Sequence, residues 1–143
     1  MILKYLHSGE KSRSEISDDF GISERTVADN LAELQDGFTF LAGSCSINKD
    51  MEVNLINDFT GQAKLCVENL KEALKECGAS LEDVAYTRIL VASQDREDLA
   101  DVWGVISDEF GEHDVPSTLT GVTVLGYENQ LVEIEAVAAV ERK

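Results

Sequence analysis

The side chains that could do chemistry in this sequence include three cysteines, two histidines and a large excess of carboxylates. Cys45, Cys66 and Cys77 are odd in number and lack short C-x-x-C spacing, so neither a disulfide framework nor a zinc site is expected. His7 and His113 lie in polar stretches without an obvious partner, which favours surface positions over catalysis. The sequence also lacks a glycine-rich phosphate loop, H-E-x-x-H and G-x-S-x-G.

Two charged residues in predicted strands could bind a ligand. Glu133 alternates with the apolar Val132 and Ile134, so its side chain faces away from theirs, toward either a cleft or solvent. Arg88 could hold a carboxylate, although an ion pair with a surface acid is the favoured interpretation. The pattern alone does not choose between these roles.

The elements that must position these residues follow from the apolar periodicity. Strands are predicted at 38–42, 84–92, 118–125 and 131–140. One helix is predicted from Asp58 or Thr60 to the glycine at Gly78, and a second from about Asp95 to Phe110. Because the helices connect successive strands, the order predicts an α/β (α+β) sandwich, with both helices on one face of a mixed sheet.

Residues 1–36 form a separate segment in this interpretation, and residues 37–143 the main domain. The run from Phe20 to Leu34, F-G-I-S-E-R-T-V-A-D-N-L-A-E-L, is similar to the turn and second helix of a helix-turn-helix. Ser23 is a suitable N-cap for a helix from Glu24 to Gln35. Arg25 is the only basic residue of that helix, which argues against DNA binding.

The charge of the whole chain also argues against DNA binding. Among 143 residues, 28 Asp and Glu oppose 12 Lys and Arg, giving a formal net charge of −16. This excess disfavours nucleic acid and anionic lipid as partners. Since the chain also lacks a long apolar run and a signal peptide, a cytoplasmic protein is expected. Acidic residues outnumber basic ones almost everywhere along the chain. This distribution favours adaptation to a salt-rich cytoplasm over a surface whose charge only prevents association by repulsion.

Several stretches of the main domain resemble one known family in the same order. They are 38–44 (F-T-F-L-A-G-S), the long segment 62–84, Phe110-Gly-Glu-His, Pro116 and 132–138 (V-E-I-E-A-V-A). Together they resemble the Rid family, also called the YjgF/L-PSP family of 2-iminoacid deaminases, over residues 37–140. The resemblance implies the chorismate-mutase-like fold and a homotrimer with clefts between subunits. Residues 1–36 are then either helix-turn-helix-like or a diverged family N-terminus.

The resemblance also implies a site for a small carboxylate-bearing metabolite, with no metal or organic cofactor. The family's glycine loop matches Ala42, Gly43 and Ser44, and its water-positioning glutamate matches Glu133. Active deaminases carry an arginine for the substrate carboxylate two residues after the proline, where this chain has Thr118. Threonine can donate one hydrogen bond but cannot neutralise a carboxylate, so the resemblance implies imine deamination only if an arginine of another subunit reaches the cleft.

Two other functions stay open at this point. Residues 1–36 could form the DNA reader of a ligand-sensing transcription regulator, or the chain could be a non-catalytic, chaperone-like binding trimer. Ribonuclease activity, also described for family members, ranks last because the sequence shows neither a histidine pair nor a basic groove.

Overall fold

The computed structural model describes residues 33–35 and 37–140, the first three by their backbone alone. Its strands are β1 (Glu33–Gln35), β2 (Phe38–Cys45), β3 (Val84–Val91), β4 (Ser117–Gly121) and β5 (Val132–Ala139). Its helices are α1 (Phe59–Glu76) and α2 (Arg96–Phe110), and a 3₁₀ turn (Leu81–Asp83) leads into β3. No helix in this part of the chain is long and apolar enough to cross a bilayer.

The strands form one mixed sheet in the order β1-β2-β5-β3-β4. Neighbouring strands are antiparallel except for β3 and β4, which are parallel and are connected through α2. Such a connection is required because two parallel strands cannot be joined by a tight turn. The predicted class, an α+β sandwich of a mixed sheet and two helices, is confirmed.

Both helices begin and end at residues suited to those positions. The Asp58 carboxylate accepts a 2.8 Å hydrogen bond from the Gly61 amide, and the Asp95 carboxylate accepts a 2.9 Å bond from the Glu97 amide. These bonds satisfy amides that the first helical turn leaves unpaired. After α1, Gly78 adopts a φ of +75°, which a glycine tolerates without strain. The predicted helix boundaries are therefore confirmed to within about two residues.

The core lies between the helices and one face of the sheet. The fully buried apolar residues come from α1, α2, β3 and β5: Ala63, Cys66, Val67, Leu70, Leu74, Val102, Ile89, Val91, Val132, Ile134 and Ala138. The apolar residues that recur along α1 at three- and four-residue spacing form a stripe on its buried face. On α2, Val102 and Ile106 are buried, whereas Trp103 is 38% exposed.

The opposite face of the sheet carries exposed aromatic residues in the isolated chain. Phe38 and Phe40 are 44% and 46% exposed, and Tyr86 is 38% exposed. Phe40 and Tyr86 each pair with Val137 of β5, so these three residues form a row across β2, β5 and β3. Monomeric proteins seldom leave such a row uncovered.

Two predicted elements differ from the structure. Residues Glu33–Gln35 pair with Phe38–Phe40 as strand β1, whereas a helix was predicted to continue to Gln35. Backbone pairing with the edge of β2 here outweighs the weak local helix preference. The strand predicted at 118–125 ends at Gly121, where an added Cβ would lie 2.7 Å from the Ser93 carbonyl oxygen. The helix-turn-helix interpretation otherwise concerns residues 1–32, which lie outside the described residues.

Candidate functional site

A β-bulge at Ala42 and Gly43 shapes the centre of the site. Leu41 pairs with Ala136 and Ser44 pairs with Ile134, so two residues of β2 face one residue of β5. A bulge of this kind bends its strand and redirects the side chains that follow. The segment predicted as a glycine loop is therefore an irregularity inside β2, which extends three residues beyond the predicted end.

Gly43 lies directly against the side chain of Glu133. An added Cβ at Gly43 would be 2.8 Å from the Glu133 Cγ and closer still to the carboxylate. Real Cβ atoms essentially never approach another heavy atom that closely, so the absence of a side chain at residue 43 makes room for this carboxylate. Two residues assigned to the site from sequence are thus in contact.

A buried glutamine fixes the other side of that carboxylate. The Gln130 side chain, only 4% exposed, donates a 2.8 Å hydrogen bond from its Nε2 to Glu133 Oε2. Its Oε1 accepts a 3.0 Å bond from the Tyr127 amide, so both ends of the amide group are satisfied. Because the buried Gln130 side chain can rotate little, it holds the Glu133 carboxylate in one position near the start of β5.

Glu133 and Gly43 line a cleft of about 470 Å³ between β2, the loop after it and α1. The lining residues that carry charge or hydrogen-bonding groups include Ser44, Asn48, Lys49, Asn69, Glu72, Glu76 and Tyr127. Three carboxylates and one ammonium group thus surround a space of the size that small-molecule sites have.

The loop after β2 forms one wall of the cleft and is tied to the body of the protein. Asn69 of α1 donates from its Nδ2 to the Cys45 carbonyl at 2.7 Å and to the Ile47 carbonyl at 3.4 Å. Farther along the loop, Met51 and Leu55 adopt φ values of 64° and 57°. Non-glycine residues seldom occupy this left-handed region, and such backbone strain is frequent at functional sites.

A second buried glutamine joins this loop to the start of β5. Gln62 of α1 is fully buried, and its Nε2 donates to the carbonyls of Leu55 and Asn129 at 3.2 and 3.0 Å. Its Oε1 accepts a 2.9 Å bond from the Leu131 amide. One side chain therefore holds both segments that border the cleft.

Thr118 lies outside the cleft, on β4. It pairs with Arg88 across β3 and β4, and its Oγ1 accepts a 2.9 Å bond from the Tyr86 hydroxyl. Arg88 donates from its Nε to Glu135 of β5 at 2.7 Å, which confirms the interpretation of Arg88 as an ion-pair partner. Within one chain, β3 thus lies between Thr118 on β4 and the strand that carries Glu133, and the Arg88–Glu135 ion pair links β3 to that strand.

The surroundings of the three cysteines and of His113 are those of structural residues. All three cysteines are free thiols. Burial raises the pKa of Cys66, and the proximity of Cys45 and Glu133 raises it further, so this thiol stays protonated at neutral pH. His113, predicted at the surface without a partner, instead bonds to the Val84 carbonyl at 2.8 Å. Across residues 33–35 and 37–140, no cluster of three or more His, Cys, Asp or Glu side chains could hold a metal ion.

The sequence alone did not identify the polar residues that position Glu133 and the loop after β2. Gln62 could have been noticed as a polar side chain on the apolar stripe of α1, where burial demands hydrogen bonds. Gln130 has no such signal because it lies in an irregular turn. Asn69 and Lys49 are equally ordinary polar residues until the loop and α1 are brought together.

The topology of the sheet and helices defines the class of protein. A crystal structure of a YjgF/YER057c/UK114 family member from Mycobacterium tuberculosis has a TM-score of 0.67 and is 29% identical, covering 82% of this chain and 93% of its own. A Rid-family protein from Yersinia pestis has a TM-score of 0.69 at 27% identity, covering 80% of this chain and 90% of its own. The fold is that of the Rid proteins.

Sequence comparison gives the family directly. The family model described as Endoribonuclease L-PSP matches residues 30–140. A RutC family protein from Pyrococcus abyssi is 35% identical over 101 residues, which is 71% of this chain and 77% of the relative. The chain belongs to the Rid/L-PSP family, as the resemblance of residues 37–140 implied.

Proposed function

We propose that this protein binds small imino- or keto-acid metabolites and hydrolyses 2-imino acids to 2-keto acids and ammonia, with Glu133 positioning the water. The observation that carries this proposal is the Glu133 carboxylate, held by Gln130 on one side and lying against Gly43 on the other, at the edge of a cleft. A carboxylate fixed in this way can orient a water and accept its proton.

The proposed reaction balances without a cofactor. A water positioned by Glu133 attacks the C=N carbon, its proton passes through the carboxylate to the nitrogen, and a carbinolamine forms. The carbinolamine hydroxyl proton then passes to the amino nitrogen, the C–N bond breaks with its electron pair leaving on ammonia, and the oxygen forms the keto C=O bond. Neither an oxidant nor a reductant is needed, because the carbon keeps its oxidation level.

A homotrimer is part of the proposal. The row formed by Phe40, Val137 and Tyr86 offers an apolar surface on the sheet face opposite the helices, and Phe38 extends it. Burying aromatic side chains of this size against other copies would contribute strongly to association. In such an assembly Thr118 of one subunit could approach a cleft of the next, as the family resemblance implies.

The direct test generates 2-iminobutanoate in situ and measures ammonia release with and without the protein. Faster release supports the proposal, and no acceleration at any protein concentration overturns the enzymatic part. The same assay is then repeated with the Thr118→Arg variant. A gain in rate in that variant would show that the site hydrolyses imines once a guanidinium is supplied. Keto-acid binding without turnover would instead leave a non-catalytic binding protein.

The family description makes RNA cleavage the second candidate function. The cleft does not favour RNA cleavage, because its described lining residues include three glutamates, Glu72, Glu76 and Glu133, and a single basic residue, Lys49. Phosphodiester backbones are attracted by basic surfaces, and this chain has a net charge of −16. Incubation with single-stranded RNA at low salt is therefore expected to leave it intact, and cleavage that requires Glu133 would favour the alternative.

A further inference from the structure

The cleft beside Glu133 contains one basic side chain among its described lining residues. Lys49 lies in the loop after β2, whereas Glu72 and Glu76 line the cleft from α1. Arg88 does not line this space, and its guanidinium is bonded to Glu135. Within a single chain, Lys49 is therefore the described lining residue whose positive charge attracts a ligand carboxylate.

The backbone that carries Lys49 is held in a tight turn. Asn48 accepts hydrogen bonds at its Oδ1 from the Asp50 amide at 2.9 Å and the Glu52 amide at 3.0 Å. The turn is closed by an antiparallel bridge between Ile47 and Val53. An Asx turn of this kind fixes the loop locally, so the Lys49 Cα has a defined place at the cleft.

The ammonium group of Lys49 is also available. Although three carboxylates line the same cleft, Lys49 forms no ion pair with any residue of the described part of the chain. By contrast, Lys71 is bonded to Glu109 at 2.6 Å. A flexible, exposed lysine can follow a ligand into the cleft without first breaking an internal salt bridge.

We propose that Lys49 binds the ligand's carboxylate in this cleft, in place of the guanidinium that Thr118 cannot supply. This inference rests on the proposed function for the choice of ligand. An ammonium group is a point charge, so it holds a carboxylate without the fixed two-point geometry of an arginine. Glu72 and Glu76 repel a second carboxylate, and the site therefore selects monocarboxylates over dicarboxylates.

The test measures binding of 2-oxobutanoate by equilibrium dialysis, together with turnover of 2-iminobutanoate. Lys49→Met should raise the Kd for 2-oxobutanoate about tenfold or more, as expected for loss of a charged contact. Lys49→Arg should stay within about threefold of the wild type, because the charge is retained. Lys64→Met is the matched control, since Lys64 is exposed on α1 and does not line the cleft; it should bind as the wild type does.

Selectivity provides the second readout. The wild type should bind 2-oxobutanoate more tightly than 2-oxoglutarate, and Glu72→Gln combined with Glu76→Gln should narrow that difference. Unchanged binding in Lys49→Met would overturn the assignment even if imine turnover is present. Lys49-dependent binding without turnover would support it and count against the deaminase proposal. Absence of any keto-acid binding by the wild type would overturn it.

Discussion

The Nε2 of Gln130 lies 2.8 Å from Glu133 Oε2, and this bond connects a buried turn to the candidate catalytic carboxylate. Glu133 belongs to the regular strand β5, but the direction of its carboxylate depends on Gln130 and on the space beside Gly43. The site is therefore built by a bulge and a buried amide, both outside the periodic pattern of the strands.

Gln130→Ala should impair both the fold and the site. It removes the bonds to Glu133 and to the Tyr127 amide, and we expect a loss of about 1–3 kcal/mol in the free energy of unfolding. Turnover should fall by about ten- to a hundredfold, mainly in kcat, because Glu133 is no longer fixed. Urea unfolding and steady-state kinetics measure the two effects. Gln94→Ala, at an exposed glutamine, is the control and should change neither.

Gly43→Ala should displace Glu133 at a moderate cost to the fold. The new methyl group would overlap the Glu133 side chain from its Cγ to its carboxylate, and moving that side chain breaks its bond to Gln130, so the free energy of unfolding should fall by about 1–3 kcal/mol. Turnover should drop by about a hundredfold, since the carboxylate moves from its position.

Gly104→Ala is the matched control for that variant. Gly104 lies within α2, and an added Cβ would meet nothing within 4 Å. We expect it to stabilise the protein by about 0.5–1 kcal/mol and to leave turnover unchanged. Normal activity in Gly43→Ala would show that close contact with residue 43 is not needed to place Glu133.

The sequence predicted the periodic parts of this structure well. Alternation around Val132 and Ile134, and the spacing of Ala63, Cys66 and Leu70, follow directly from burial of one face. Gln130 could not be predicted because its partner, Glu133, is reached through an irregular turn. Strand β1 was not predicted because the extended conformation of Glu33–Gln35 depends on pairing with β2, which outweighs the local propensity of these three residues.

The Lys71–Glu109 ion pair should give a small, acid-sensitive contribution to stability. The hydrogen bond from Lys71 is the main cause that holds the pKa of Glu109 below its ordinary value. The stabilisation is therefore complete above the unfolded pKa of about 4.3, and it is lost as the pH falls through the lower folded pKa.

Lys71→Met tests this pair by urea unfolding at neutral and acidic pH. The variant should lose less than about 1 kcal/mol at pH 7, because solvent screens an ion pair this exposed. The difference from the wild type should shrink as the pH falls below about 4, and Lys75→Met is the exposed control on the same helix. A difference independent of pH would contradict the electrostatic explanation.

Phe40→Asp should prevent the proposed trimer from forming. Phe40 lies in the exposed aromatic row, and a buried, unpaired carboxylate there would be costly in an assembled face. Sedimentation velocity should show trimers for the wild type and monomers for the variant. Ile56→Asp replaces a residue that is 56% exposed in the loop before α1 and should remain trimeric. A monomeric wild type would contradict the proposed assembly.

The most direct measurement compares Glu133→Gln with Glu128→Gln in the 2-iminobutanoate assay. Glu128 is exposed in the turn before β5 and does not line the cleft, so its variant should release ammonia at the wild-type rate. Glu133→Gln keeps the size of the side chain but removes its basicity, and the rate should fall by about 10²–10⁴-fold. Equal, wild-type rates in both variants would contradict the assignment of Glu133 as the group that activates water.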